Sequence, residues 1–241
     1  MASVYAQLPK IVAHRGASAY APENTAAAIK RAAQMGARWC EVDVTISKDG
    51  EAVIFHDAEL NRCSNGSGLL IQKTLAELKT LDAGSWFSPE FKDEKILTLT
   101  ELITLANSLK LGLNIEIKPT LGREIETVEA MVRAFAATPP QQSILLSSFN
   151  PYALRAAQKL LPQYERALNS EAIPSDWLEK LNELDASGLH FQIDFFDAKQ
   201  VAQLKKTGFY CMIFTVNQAA QAHELHQAGV DSVFSDHPNL I

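Results

Sequence analysis

Nowhere in this chain do about 18 apolar residues follow one another, so the sequence offers no segment of membrane-spanning length. Met1 to Lys10 also lacks the apolar stretch of a secretory leader. Cysteine is scarce: Cys40, Cys63 and Cys211 stand far apart. Their spacing excludes both a zinc ribbon and a disulfide framework, and it fits a reducing compartment. There is no run of like charge long enough to form a binding tail, no internal repeat and no low-complexity segment. The net charge of −6 gives no general attraction for nucleic acid or an anionic membrane, so any anionic ligand has to be drawn in locally. The expectation is a soluble, cytoplasmic chain with no nucleic-acid partner and no membrane insertion. Nothing in the composition specifies an oligomeric state.

What is present is a sizeable core. The 241 residues are 47% hydrophobic, ordinary for one α/β barrel. Strand-like runs at Ile11–His14, Trp39–Ile46, Ala52–Phe55, Leu113–Ile117, Ile144–Ser147, Arg166–Leu168, Leu189–Phe191, Tyr210–Val216 and Ser232–Phe234 alternate with helix-like ones. The helices are expected over Asn24–Met35, after the capping-box pattern Thr98-Leu99-Thr100-Glu101, over Glu124–Ala137, after Asn150-Pro151, over Trp177–Leu184, after Asp197 and after Asn217. Repeated strand–helix units with short connections predict a parallel sheet, and about eight of them predict a (β/α)8 TIM barrel occupying residues 1–241 as one catalytic domain. Nine strands are one too many. Lys48-Asp49-Gly50 accounts for the surplus, being a hairpin turn that needs no crossover helix. The polar, glycine-containing stretch from about 60 to 95 reads as an insertion at the barrel mouth, after the third strand.

Four short places at strand ends carry the chemistry. They are His14-Arg15-Gly16, Glu41-Val42-Asp43-Val44, His56-Asp57 and, on the fourth strand, Glu116 and Lys118 of Glu116-Ile117-Lys118-Pro119. Residues two apart on a strand share a face, so Glu41 and Asp43 point one way, and Asn114, Glu116 and Lys118 another common way. Carboxylates side by side repel and are best tolerated with a cation between them. Oxygen donors favour one divalent cation of the magnesium, calcium or manganese kind over zinc. His14 or His56 alone reads equally well as a packed, hydrogen-bonded residue. The two together beside an acidic cluster read as a proton-donating and a proton-accepting pair. His190, His223, His226 and His237 lack such company. Glu41, Asp43 and Glu116 carry three negative charges. A divalent cation with Arg15 and Lys118 carries the site to about plus one, which suits an anionic substrate; without the metal it is minus one. These are the parts needed to cut a phosphodiester.

In this order the motifs resemble a known family. His14-Arg15-Gly16, Pro22-Glu23-Asn24-Thr25, Glu41-Val42-Asp43, Lys48-Asp49-Gly50 with His56-Asp57, Asn65-Gly66-Ser67-Gly68, Asn114-Ile115-Glu116-Ile117-Lys118-Pro119, Ser147-Ser148-Phe149, Thr215-Val216-Asn217 and Gly229-Val230-Asp231 follow one another as in the glycerophosphodiester phosphodiesterases, most of all the compact bacterial cytosolic members. The resemblance runs from about Ile11 to Pro238. It implies a barrel of the phospholipase C-like phosphodiesterase type, and hydrolysis of small glycerophosphodiesters to glycerol 3-phosphate and an alcohol. By matched position it implies a divalent metal, Mg2+ or Ca2+ with Mn2+ also admitted, on Glu41, Asp43 and Glu116. His14 and His56 would be the acid/base pair, Arg15 and Lys118 would contact phosphate, and Phe149 and Phe214 would line the substrate pocket. The chain departs from the family pattern at Cys63, Leu97, Phe214 and Ser235, and none of these removes a catalytic group.

Other readings are weaker. A sphingomyelinase D-like enzyme shares this barrel and site, but that group is usually secreted with a disulfide. A catalytically silent barrel would need neither a paired acid and base nor the acidic triad. A sugar-isomerase barrel would not need the ordered motifs.

Overall fold

The computed structural model describes residues 3–241. In chain order the elements are β1 (Ile11–His14), α1 (Ala26–Gln34), β2 (Trp39–Ile46), β3 (Ala52–Ile54), α2 (Leu75–Thr80), α3 (Leu99–Leu109), β4 (Gly112–Ile117), α4 (Glu124–Ala137), β5 (Ile144–Ser148), α5 (Pro151–Leu160), β6 (Glu165–Ser170), α6 (Trp177–Glu183), β7 (Gly188–Gln192), α7 (Ala198–Lys206), β8 (Tyr210–Phe214), α8 (Ala219–Gln227) and β9 (Ser232–Ser235). All strands except β3 run parallel, in the order β1-β9-β8-β7-β6-β5-β4-β2, and the β1–β2 pairing closes the ring. This is the eight-stranded TIM barrel expected. The ninth strand is the return arm of a hairpin: β3 pairs antiparallel with the overshooting end of β2, Val44 opposite Ile54 and Ile46 opposite Ala52. No helix among the described residues is long and apolar enough to cross a membrane.

Local chemistry sets most of the helix starts. Thr98 caps α3 with the reciprocal Glu101 bond of a capping box, Asn150 caps α5 ahead of Pro151, and the Asp197 side chain caps α7. Two expectations are corrected. α1 begins at Ala26 with Thr25 as its cap, because Asn24 adopts a left-handed backbone (φ 61°) and sends its side chain elsewhere. Asn217 does not cap α8; Gln218 holds that position with no side-chain bond, and the Asn217 amide is committed to Ser235 and Asp236. β8 also stops at Phe214, short of Val216. The 60–95 insertion is not featureless. It carries α2 and two single 3-10 turns, and it buries Leu60, Cys63, Leu70, Leu78 and Ala83 with Val53, Phe55 and Ile96 in a small core of its own.

Period-two alternation sorts each barrel strand. Residues such as Ala13, Val42, Ile115 and Leu146 face the helices and form the main core, whereas Val12, Trp39, Leu145, Ala167, Met212 and Phe234 pack together as a separate buried cluster inside the ring. The chain before β1 helps fill that interior: Val4 and Tyr5 lie in the same cluster, and Tyr5 stacks on Tyr210. The Tyr5 hydroxyl bonds Nε2 of the fully buried His190 at 2.9 Å. Burial without a charged partner pushes the His190 imidazole down to about 3, so it is a neutral packing residue. Gly188 is what admits this plug, since a Cβ there would lie 2.3 Å from the Tyr5 hydroxyl oxygen.

Gly188→Ala should therefore overpack the base of the barrel and cost about 1–3 kcal/mol. A thermal melt should fall by roughly 2–4 °C for each kcal/mol lost. An unchanged melting temperature would mean that the Tyr5 plug yields freely.

Candidate active site

The carboxylates come first, because burying them is the costliest feature of the mouth. Glu41 and Asp43 rise from the inner face of β2, and Glu116 stands opposite Asp43 in the β2–β4 register. All three are buried or nearly so, and each offers a carboxylate oxygen within 4.8 Å of the others. Burial, then the neighbouring Asp43 and Glu116 charges, drive the Glu41 carboxyl well above its usual range. Burial and Asp43 push Glu116 in the same direction. Each carboxylate is held by one oxygen. Arg15 N donates to Glu41 Oε2 at 3.0 Å, Asn24 Nδ2 to Asp43 Oδ2 at 2.8 Å, and Lys118 Nζ to Glu116 Oε1 at 3.2 Å. The second oxygen of each remains for another partner. Three hard donors, converging and mutually repelling, fit a divalent cation.

The histidines flank this cluster. β1 ends at His14, whose Nε2 lies 3.9 Å from Glu41 Oε2 and whose Nδ1 donates to Asp236 Oδ1 at 2.7 Å. Burial raises the Asp236 carboxyl, but bonds from His14, Asn217 and Ser18 outweigh it and hold the group well below the usual range. Ser18 and Asn217 fix both Asp236 oxygens, at 2.8 and 2.6 Å. His56 arrives on the hairpin's return arm, where Phe55 N bonds Asp43 O. Its Nδ1 donates to Asp57 Oδ1 at 2.5 Å. Burial, together with the Arg15 and Lys118 charges, lowers the His56 imidazole against the opposing pull of Asp43 and Asp57. A carboxylate can only accept, so in both residues Nδ1 carries the proton of that bond and Nε2 is left for chemistry.

Arg15 and Lys118 complete the mouth. Arg15 sits in a left-handed turn (φ 53°) followed by Gly16 (φ 81°), where a Cβ would lie 2.7 Å from the Ala28 carbonyl carbon. Its Nη1 donates to Glu23 at 2.7 Å. Its Nε lies 3.4 Å from Asp43 Oδ2 but is not aligned as a hydrogen bond, and it stays buried without an acceptor. Lys118 leaves the end of β4 with its Nζ 3.9 Å from Asp43 Oδ1. Arg62, at the start of the insertion, makes paired bonds to Asp57 and to Glu23.

The structure brings every expected site residue to one place. His14, Arg15, Glu41, His56, Glu116, Lys118, Phe149 and Phe214 line a single cavity of about 160 Å3, and Asp43 lies buried beside it. Phe149 and Phe214 meet edge to face, 5.7 Å between ring centres. Asn114 and Asn169, buried and bonded to Ser147 Oγ, also line the cavity. The charge count made from five residues misses Glu23, Asp57, Asp236 and Arg62, which bring three further negative charges and one positive to the rim. Each of those carboxylates is paired to a histidine or an arginine, so it is not free to repel a ligand. Asn24 and Asp236 are the functional positions that pattern reasoning passed over. Asn24 lay in the Pro22-Glu23-Asn24-Thr25 motif, but a polar residue ahead of a helix or in a terminal loop carries no signal of where its side chain goes. Of the remaining histidines, His223 is exposed, His226 is half-buried with Nδ1 on Val230 O, and His237 bonds Tyr20.

Comparison with known proteins gives a consistent picture. The model of the glycerophosphoryl diester phosphodiesterase family matches residues 14–240. A glycerophosphodiester phosphodiesterase of Caldanaerobacter subterraneus subsp. tengcongensis is 34% identical, over 96% of this chain and 95% of that protein. An Oleispira antarctica phosphodiesterase, solved in complex with the product sn-glycerol-3-phosphate, superposes with a TM-score of 0.96 at 46% identity, covering 99% of this chain and 97% of that one. A glycerophosphodiester phosphodiesterase of Agrobacterium tumefaciens gives 0.77 at 28% identity, over 97% and 98%. The chain is thus an enzyme of the glycerophosphoryl diester phosphodiesterase family.

Proposed function

We propose that this enzyme hydrolyses small glycerophosphodiesters, such as glycerophosphocholine and glycerophosphoethanolamine, to sn-glycerol 3-phosphate and the free alcohol, by histidine acid/base chemistry at a divalent-cation site. The observation that carries this reading is the pair of histidines, each backed through Nδ1 by its own carboxylate, on the wall of the cavity that holds the acidic triad. The product bound in the Oleispira antarctica enzyme supports the substrate class.

Glu41, Asp43 and Glu116 would hold the cation, and their oxygen chemistry favours Mg2+ or Ca2+, with Mn2+ also accommodated. When bound, the cation supplies positive charge that draws electron density from phosphorus. Arg15, with its unpaired Nε, and Lys118 stabilise charge on the non-bridging phosphate oxygens. One histidine takes the proton of the attacking hydroxyl as the new P–O bond forms. The other gives a proton to the alkoxide oxygen as the old P–O bond breaks. The attacking hydroxyl belongs to water, or to the neighbouring glycerol carbon in a two-stage route through a cyclic phosphate. Phe149 and Phe214 shape the entrance. Three free, buried cysteines support a reducing, cytoplasmic setting.

His14→Ala and His56→Ala should each lower kcat on glycerophosphocholine by about 10^2–10^4-fold with little change in melting temperature. Wild-type turnover from either variant would remove that histidine from the chemistry. Release of glycerol 3-phosphate should also stop in EDTA and return with added Mg2+ or Ca2+; turnover that survives chelation would refute the metal site.

A further inference from the structure

We propose that Arg62 is a positioning residue, through which the insertion locks His56 and Arg15 into one rigid frame. This rests on the acid/base reading above. Arg62 Nε and Nη2 donate to the two oxygens of Asp57, at 2.6 and 2.8 Å. Nη1 and Nη2 donate to the two oxygens of Glu23, at 2.7 and 2.8 Å. Asp57 holds the Nδ1 side of His56, and Glu23 holds Nη1 of Arg15. One guanidinium therefore joins the residue that orients a proton-transfer histidine to the residue that orients a phosphate-binding arginine. The two sites it joins lie on separate segments, the end of β1 with the loop after it and the return arm of the hairpin.

Only a guanidinium can do this. Its planar fork presents two donor edges, each matching a carboxylate, whereas an ammonium is a point charge without that geometry. The backbone that carries it is also fixed in advance. Leu60 and Cys63 on either side are buried in the insertion's core, and Ser64 Oγ bonds Leu60 O at 2.6 Å. Little of the chain remains to be ordered when the fork closes, so the four bonds hold the histidine rather than the arginine. Electrostatics point the same way. The hydrogen bonds from Arg62 are the largest influence holding the Asp57 carboxyl far below its usual range, and Arg62 with Arg15 holds Glu23 at about 2 against the effect of burial. The charged groups facing His56 are Asp57, Asp43, Arg15 and Lys118. Loss of the Arg62 charge leaves Asp57 less neutralised, and the His56 imidazolium then becomes easier to form.

The test compares wild type, Arg62→Gln and Arg62→Lys in the full-length, metal-supplemented protein. Glycerophosphocholine turnover is measured alongside the His56 titration by NMR, assigned with His56→Ala. Arg62→Gln should lose about 10- to 100-fold in kcat, the usual scale for removing a supporting hydrogen-bond partner. KM should change far less, because Arg15 keeps its own bond to Glu23. The His56 midpoint should move to higher pH. Arg62→Lys should restore the midpoint by restoring charge, yet recover kcat only in part, because the fork is gone. Wild-type kcat in Arg62→Gln overturns the proposal, and so does a loss of kcat with an unmoved His56 midpoint, which marks a merely structural role. If Arg62→Gln does not fold, full recovery of kcat in Arg62→Lys overturns it. Failure of the wild type itself to turn over the diester removes the functional reading and this inference together, whereas an active wild type with an indifferent Arg62 removes only the inference.

Discussion

Three carboxylates forced into one buried corner govern the rest of the mouth. Pairs of like charges less than 5 Å apart repel by roughly 3 kcal/mol or more even at an effective dielectric near 20, and burial adds a desolvation cost on top. No soluble fold keeps such an arrangement without compensation. The backbone N–H of Arg15, the amide of Asn24 and the ammonium of Lys118 each take one oxygen of one carboxylate. What they leave uncompensated is a concentrated negative field open to a cation. Arg15 and Asn24 both adopt a left-handed backbone, and from that turn the Arg15 N–H and the Asn24 amide reach the carboxylates of β2.

A second layer organises the two histidines proposed to move protons. Each histidine is gripped at Nδ1 by a carboxylate that is itself gripped elsewhere, Asp236 by Ser18 and Asn217, Asp57 by Arg62. The repetition has a physical reason: an imidazole at a strand end rotates freely unless one nitrogen is tied down, and a carboxylate left without donors at a rim would swing toward solvent. The two supports differ in how they are built. That of His14 comes from short loops at the ends of barrel strands, while that of His56 depends on an insertion with its own small core.

The barrel was legible in the sequence because its signals are local and redundant. Alternating apolar residues, caps at Thr98, Asn150 and Asp197, and a turn at Lys48-Asp49-Gly50 all agree with one another, and the surplus strand resolved into a hairpin as that turn implies. The alternation rule also placed Glu41 with Asp43, and Glu116 with Lys118, on inward faces. What the pattern misread were asparagines. Asn24 read as the first residue of a helix and Asn217 as the cap of one, yet each amide reaches across to an aspartate of the site. Helix-start statistics describe an average N-terminus, and these two are overridden by a tertiary partner that is remote in sequence. The pairing of Glu23 with Arg62 was hidden for the same reason, since a separation of 39 residues leaves no periodicity to detect.

The stopper at the base of the barrel has a consequence for traffic. Among the described residues, Tyr5, Trp39 and Phe234 pack inside the ring, and Phe234 reaches the lining of the cavity. On the proposed reading, substrate would enter and both products would leave on the side of the cavity that His14, His56 and Lys118 line. On the proposed reading, the phosphate-bearing product would pass Arg15 and Lys118 on its way out, so the same two side chains that receive the diester would also retain its product.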